Sequence, residues 1–235
     1  MNADALFADR LDAAVSLTAR LRSIASADSV VVALSHGGAV VGAEVARELE
    51  VPLDVVVIRK IRCPGAPERI LGAVAPGYAV YIRTDFGLSA RHVAVATADA
   101  RKEVDHVDAR LHRARLPIDI AGREVLLIDD GIATGARMVT AARWARTQRA
   151  RRVVAAVPVA AHEAAELVRR EVESLVCLHE LASLGAVAIW YDEFDPVHDD
   201  DVLHLFAEAD RKLDTTTVER ELPGRRLHLG RRSHA

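Results

Sequence analysis

The sequence has little cysteine, methionine or aromatic content. Its only thiols, Cys63 and Cys177, are two among 235 residues. Their spacing fits neither a disulfide framework nor a zinc site, and such sparing use of cysteine suits a reducing cytoplasm. No apolar stretch approaches the length that spans a bilayer. Met1-Asn2-Ala3-Asp4 lacks the basic region and apolar run of a secretory signal. Neither sign of charge dominates. A formal net charge of -3 argues against a dedicated nucleic-acid binder, while leaving room for a local basic patch. The scarcity of aromatics (4%) and the abundance of Ala, Val and Arg match a GC-rich bacterial genome.

Aliphatic residues are plentiful. Half the chain is hydrophobic (51%), enough for a core without staples. Leu6, Val15, Leu17, Leu21 and Ile24 recur at roughly helical spacing. Val30–Leu34 reads as a buried strand, Ser35-His36-Gly37-Gly38 breaks it, and Ala39–Leu49 reads as a helix. A second strand covers Leu53–Ile58. From Arg59 to about Thr84 prolines and glycines punctuate the chain, with one short strand at Ala79–Ile82; such a stretch suits a lid or binding loop. Ala90–Leu116 reads as a long charged helix closed by Pro117, with a solvated face from Arg101 to Arg115. Then strands at Val125–Ile128, Val153–Val157, Leu175–Leu178 and Ala186–Trp190 alternate with helices at Arg137–Gln148, Glu163–Val172 and Asp199–Leu213. The alternation predicts a doubly wound α/β fold with a mostly parallel sheet covered on both faces. One domain is expected over residues 1–214, with hood elements near 59–84 and 185–195. A basic, mobile tail is expected over 215–235.

In such a sheet, ligands sit beyond the carboxyl ends of the strands. Three of these ends are unusual: Ser35-His36-Gly37-Gly38, Arg59-Lys60, and Asp129-Asp130 with Gly131-Ile132-Ala133-Thr134-Gly135 behind it. In the third, Gly131 and Gly135 permit close backbone approach. The amides from Ala133 through Ala136 to Arg137 open a helix and form an anion site, to which Thr134 adds a hydroxyl. The carboxylates would repel a phosphate there, so they suit sugar hydroxyls or Mg²⁺. A ribose bearing a 5-phosphate supplies all of these groups. The plainer alternative, Asp130 as a helix cap, accounts for one acid but not for the pair with Thr-Gly.

The run Val125 to Gly135, four apolar residues followed by two acids, a short spacer and Thr-Gly, resembles the signature of the type I phosphoribosyltransferases. Arg59-Lys60 after its strand is similar to a segment of the orotate and adenine members, and Gly37-Gly38 to their pyrophosphate loop. The chain most resembles a bacterial group of predicted phosphoribosyltransferases, which shares the ending Ala186-Val187-Ala188-Ile189-Trp190-Tyr191. The likeness spans roughly residues 5–210. It implies phosphoribosyl pyrophosphate as donor, Mg²⁺ as cofactor and transfer to a nitrogenous acceptor with inversion at C1. It implies catalytic roles for Asp129, Asp130 and Lys60, with the ribose hydroxyls and any metal on the two acids. His36, Gly37, Gly38 and Arg59 would serve the pyrophosphate, and the 61–84 stretch would close over the site. Trp190 would either stack on an acceptor ring or pack in the core. Two departures stand out. His36 replaces the arginine usual in that loop, and Arg137 replaces a threonine at the end of the phosphate turn. They keep open a second reading, a weak or inactive donor-binding regulator. In that reading the basic tail (Arg225, Arg226, Arg231, Arg232) would touch nucleic acid or a partner.

Other motifs carry less. Gly37-Gly38-x-x-x-Gly42 fails the dinucleotide spacing, and Gly131–Gly135 is too short for a P-loop. His198-Asp199-Asp200-Asp201 reads as a helix start rather than a metal site. His162-Glu163 lacks the second histidine of a zinc helix, and His179 reads as structural. Cys63 sits in a Pro-Gly loop as an incidental thiol, and Cys177 reads as core. A homodimer is expected on general grounds.

Overall fold

A computed structural model describes residues 5–34, 36–83, 87–113 and 115–209. Helix α1 (Arg10–Leu21) precedes strand β1 (Ser29–Leu34), helix α2 (Gly37–Leu49) and strand β2 (Leu53–Val56). Strands β3 (Arg59–Cys63), β4 (Ala66–Val74) and β5 (Val80–Ile82) follow, and helix α3 (Ala90–Leu111) leads to β6 (Glu124–Ile128). The chain then alternates α4 (Ala136–Thr147), β7 (Arg152–Ala161), α5 (His162–Arg169) and β8 (Ser174–Leu181). Residues 199–209 form a last helix, α6. The predicted helix to Leu213 and the 215–235 tail run outside the described residues, as do Ser35 and Thr84.

Five strands form one parallel sheet in the order β2-β1-β6-β7-β8. Its strands are apolar on both faces because both faces are covered. Val31, Ala33, Leu126, Ile128, Val154 and Ala156 pack with α1, α2, α3 and α6. Their alternating neighbours, such as Val30, Val32, Val125, Leu127, Val153 and Ala155, pack with α4 and α5. Full burial of each valine or leucine contributes about 1.5–3 kcal/mol, so the runs specify register as well as stability. The doubly wound α/β class expected from the alternation is the class observed.

Local structure departs from expectation in four places. The 59–84 stretch is mainly a three-stranded antiparallel sheet, β3-β4-β5, and not chiefly a loop. Pro64-Gly65 makes its first hairpin turn, with Gly65 at φ 79°, and Ile61, Leu71 and Val74 bury its inner face. Gly72 is essential to the second pairing, since a β-carbon there would lie 1.9 Å from the carbonyl oxygen of Tyr81. Cys63 is therefore buried at a strand end rather than in an open loop, its Sγ 3.7 Å from the Pro64 carbonyl. Second, residues 187–190 form a 3-10 turn instead of a strand. The Trp190 carbonyl accepts from the Leu6 and Phe7 amides, so the segment is held by the start of the chain and not by β8. Third, Cys177 lies on β8, a half-covered edge strand, and not in the full core. Burial still pushes its thiol up to about 11.

Fourth, α3 stops at Leu111, well short of Pro117, because His112 is captured. Its Nε2 stands 3.4 Å from Asp54 Oδ1 on β2, and its Nδ1 lies 3.1 Å from the Asp108 carbonyl and 3.3 Å from Oδ1 of the same residue. The hydrogen bonds with Asp108 and Asp54 push the imidazolium up to about 10. A histidine raised in the folded state stabilises fully below its unfolded value near 6.5, and loses that contribution as pH climbs through the folded value. His112→Gln is thus expected to cost about 2 kcal/mol at pH 6. That corresponds to a Tm lower by roughly 4–8 °C. The gap from the parent should close by about pH 10.5, as thermal melts across this range would show.

Candidate functional site

The crevice where strand order reverses lies at the end of β1, with β2 on one side and β6 on the other. Ala33 pairs with Ile128, which sets His36-Gly37-Gly38 beside Asp129-Asp130. Arg59 and Lys60 enter from β3, directly after β2. The three unusual strand ends therefore converge. Lys60 senses the charges of Asp129, Asp130 and Arg137, and His36 those of Arg59 and Arg137.

Gly37 and Gly38 form the first turn of α2 instead of a free loop. The turn leans on the acid pair so closely that only glycine fits. A β-carbon at Gly37 would stand 1.9 Å from Asp130 Oδ2, and one at Gly38 would stand 2.9 Å from Asp129 Oδ1. The positive end of the α2 dipole thus faces two carboxylates. His36, just before it, adopts φ 68°, a left-handed conformation costly for a side chain of its size.

Asp129 is 2% and Asp130 8% exposed. Burial pushes the Asp129 carboxyl above its usual range, Arg137 opposes this and Asp130 adds to it. Arg137 Nη1 lies 3.5 Å from Asp129 Oδ2, so the guanidinium expected at the phosphate turn faces the acid. Asp130 has a partner of its own. Arg10 Nε donates to Asp130 Oδ2 at 3.0 Å in a buried ion pair.

The following turn is shaped as the motif implies. Gly131 is wedged against Val187 and Val159, and Ile132 exchanges backbone bonds with Val159 and Ala161. Ala133 and Thr134 face solvent. Gly135, at φ 77°, precedes α4 and supplies no side-chain cap to its first turn, which begins at Ala136. Such a terminus suits an anion.

A cleft of about 420 Å³ opens beside the start of α2, lined by His36, Arg59, Arg110, His198, Asp199 and Asp200. His36 Nε2 is 3.0 Å from Asp199 Oδ1, Arg110 Nη1 is 3.5 Å from Asp199 Oδ2, and Arg110 also bonds Asp200. Burial lowers the His36 imidazolium, and Arg59 lowers it further against the pull of Asp199. Burial chiefly, and Arg137 next, depress the Lys60 ammonium. The acidic run behaves as a helix start, with Asp201 Oδ2 accepting from the His198 amide at 2.8 Å. Among the described residues, no group of three or more potential ligands could hold a metal alone. The acid pair fits Mg²⁺ only as an ion shared with a ligand's own oxygens. Trp190 donates its indole N–H to the Leu184 carbonyl at 2.8 Å and is partly exposed.

Arg10 and Arg110 join the site unannounced by any motif, whereas Tyr191 closes the 186–191 ending that the resemblance picked out, without a role of its own there. Arg10 did leave a trace in the sequence, since it falls on the buried face of α1 with Ala13, Ala14, Leu17 and Leu21. An arginine in register with an apolar stripe needs a buried partner. Arg110 left none.

The geometry is that of a strand-end crevice at the switch point of a doubly wound sheet. The sequence model of the phosphoribosyl transferase domain matches residues 9–183, and the chain belongs to that family. Two Mycobacterium tuberculosis sequences, named "Putative phosphoribosyl transferase Rv0571c" and "Putative phosphoribosyl transferase MT0597", are each 36% identical over 211 residues. The match covers 88% of this chain and 47% of theirs, so the chain spans about half the length of these curated relatives. The crystal structure of TT1426 from Thermus thermophilus is 36% identical with a TM-score of 0.74, over 86% of this chain and 98% of that one.

Gly37→Ala tests how tightly the site is built. The added methyl cannot coexist with the Asp130 carboxylate, so overpacking is expected to cost about 1–3 kcal/mol. Calorimetric melting would measure the loss, and a crystal structure of the variant should show Asp130 or the start of α2 displaced.

Proposed function

We propose that the chain transfers a 5-phosphoribosyl group from phosphoribosyl pyrophosphate to a nitrogenous acceptor, releasing pyrophosphate with inversion at C1. The observation that carries this reading is the glycine-led first turn of α4 standing directly behind two buried, adjacent carboxylates. One ligand matches both halves, with its 5-phosphate on the amides near Thr134–Arg137 and its ribose hydroxyls donating to Asp129 and Asp130.

The chemistry follows from charge. As the bond between C1 and the pyrophosphate oxygen breaks, the sugar gains cationic character and the leaving group gains negative charge. The acceptor nitrogen attacks from the opposite face. The acids lie on the ribose side, where a developing cation is stabilised. Arg59 and Arg110 line the neighbouring cleft and would offset the pyrophosphate charge, His36 would donate a hydrogen bond there, and Lys60 would act from beside the acid pair. Mg²⁺ bound with the donor would supply further neutralisation of the pyrophosphate. The antiparallel sheet above β2 would limit water access to C1. A nucleobase is the natural acceptor class, and the partly exposed Trp190, one residue before Tyr191, is the aromatic that would stack on it. A cytoplasmic homodimer belongs to the same reading. No described helix is long and apolar enough to cross a membrane.

Titration calorimetry with phosphoribosyl pyrophosphate and Mg²⁺, followed by pyrophosphate-release assays against a panel of bases, tests the proposal. Binding and turnover on at least one base are expected; binding without turnover on any of them would leave a donor sensor, and absence of binding would remove the donor altogether. Two variants refine it. Lys60→Ala should slow turnover by roughly 10²-fold, the scale of losing one preorganised charge-stabilising donor. Thr134→Ala should weaken donor binding about fivefold, as expected for one hydrogen bond worth about 1 kcal/mol.

A further inference from the structure

The acid pair is served from the far end of the chain. Arg10 lies 120 positions before Asp130, and its guanidinium is engaged at three points. Nε donates to Asp130 Oδ2 at 3.0 Å, Nη1 donates to the Asp195 carbonyl at 2.8 Å, and the Phe194 ring lies beneath it, 3.7 Å from centroid to Cζ. The same segment also grips the backbone of Asp130, because the Tyr191 hydroxyl donates to its carbonyl at 2.6 Å. Gly37 closes the remaining side, leaving no room for Oδ2 to swing. The Arg10 bond falls on Oδ2 and not on Oδ1.

Stability alone is a poor reason for this arrangement. Position 10 lies in register with Ala13, Ala14, Leu17 and Leu21, where an apolar residue would anchor α1 without desolvating a charge. Buried ion pairs rarely stabilise more than well-packed hydrophobic substitutes do. What the pair does achieve is orientation. A forked guanidinium, flat on a ring and tied to a carbonyl, fixes the plane of the carboxylate, which a flexible ammonium would not do.

We propose that Arg10 is a positioning residue that holds Asp130 Oδ2 so that Oδ1 alone faces the donor ribose. The proposal rests on the donor reading above. The residue would act through Asp130 and touch no reacting atom.

The test is a cycle of variants read by calorimetric affinity for phosphoribosyl pyrophosphate with Mg²⁺, alongside melting temperature. Arg10→Met is expected to weaken donor binding at least tenfold. Asp130→Ala should weaken it as well, and the double variant should bind within twofold of Asp130→Ala alone, since Arg10 then has no acceptor left to orient. Arg10→Lys keeps the charge and guards against a variant that fails to fold. It should melt near the parent, yet bind at least threefold more weakly. Arg10→Lys binding at the parent level would overturn the orienting role, and so would losses that multiply in the double variant. Arg10→Met lowering the melting temperature while binding stays within twofold of the parent would make the residue structural only. Failure of the parent chain itself to bind the donor would sink the donor reading and this inference together, whereas parent binding with unaffected variants would sink only the inference.

Discussion

Two adjacent carboxylates lie buried at the end of a central strand, and much of the surrounding structure can be understood as meeting their cost. An unpaired buried carboxylate loses several kcal/mol of hydration, and a second one beside it adds repulsion. The chain brings compensating charge from four directions. Arg10 comes from α1, Arg137 from α4, Lys60 from β3, and the positive end of α2 leans over Gly37 and Gly38. None of these elements is adjacent in sequence to the acids except Arg137. Their convergence follows from the parallel pairing of β1 with β6 and the placement of β2 outside it.

This constraint also explains why the ends of the described chain meet. The Leu6 and Phe7 amides bond to the Trp190 carbonyl, the Asp192 and Glu193 amides bond back to Phe7 and Ala8, and Phe7 packs on Tyr191. That clasp fixes α1 in register, so that Arg10 reaches Asp130, and it fixes Tyr191 so that its hydroxyl reaches the Asp130 carbonyl. A segment expected to be a strand is a turn for this reason. Its carbonyl is committed to the chain's beginning, and Gly185 at φ 63° turns it away from β8.

The parallel sheet was legible because its strands are buried on both faces and so read as unbroken runs of Val, Leu and Ala, such as Val30–Leu34 and Val125–Ile128. The crevice residues were legible for a different reason. Gly37, Gly38, Asp129, Asp130 and Thr134 sit in short local patterns, and a local pattern survives in one sequence. Of the small antiparallel sheet only β5 was legible, as the strand expected at Ala79–Ile82. Its other strands alternate charged and apolar residues irregularly, its first pairing is broken by register shifts at Arg62, and its prolines and glycines serve as hairpin turns that look like loop punctuation. Arg10 and Tyr191 act only through contacts 120 and 61 positions away. No window of sequence contains such a contact, although an arginine on an apolar helical stripe signals that one must exist.

The substitution of histidine in the loop before Gly37 acquires a structural meaning from the same logic. With Lys60, Arg137 and Arg59 already at the crevice, another fixed cation at position 36 would crowd like charges together, and both Lys60 and His36 have their protonated forms disfavoured, by burial first and by neighbouring guanidinium groups next. His36 instead finds Asp199 on the last helix, which also engages Arg110. The cleft is thus lined by cations whose charge is partly spent on α6 carboxylates. An anion entering it must compete with Asp199 and Asp200, and its gain is the difference between two sets of ion pairs rather than the full attraction of the arginines. Displacing those carboxylates from the arginines would take an anion more highly charged than a carboxylate.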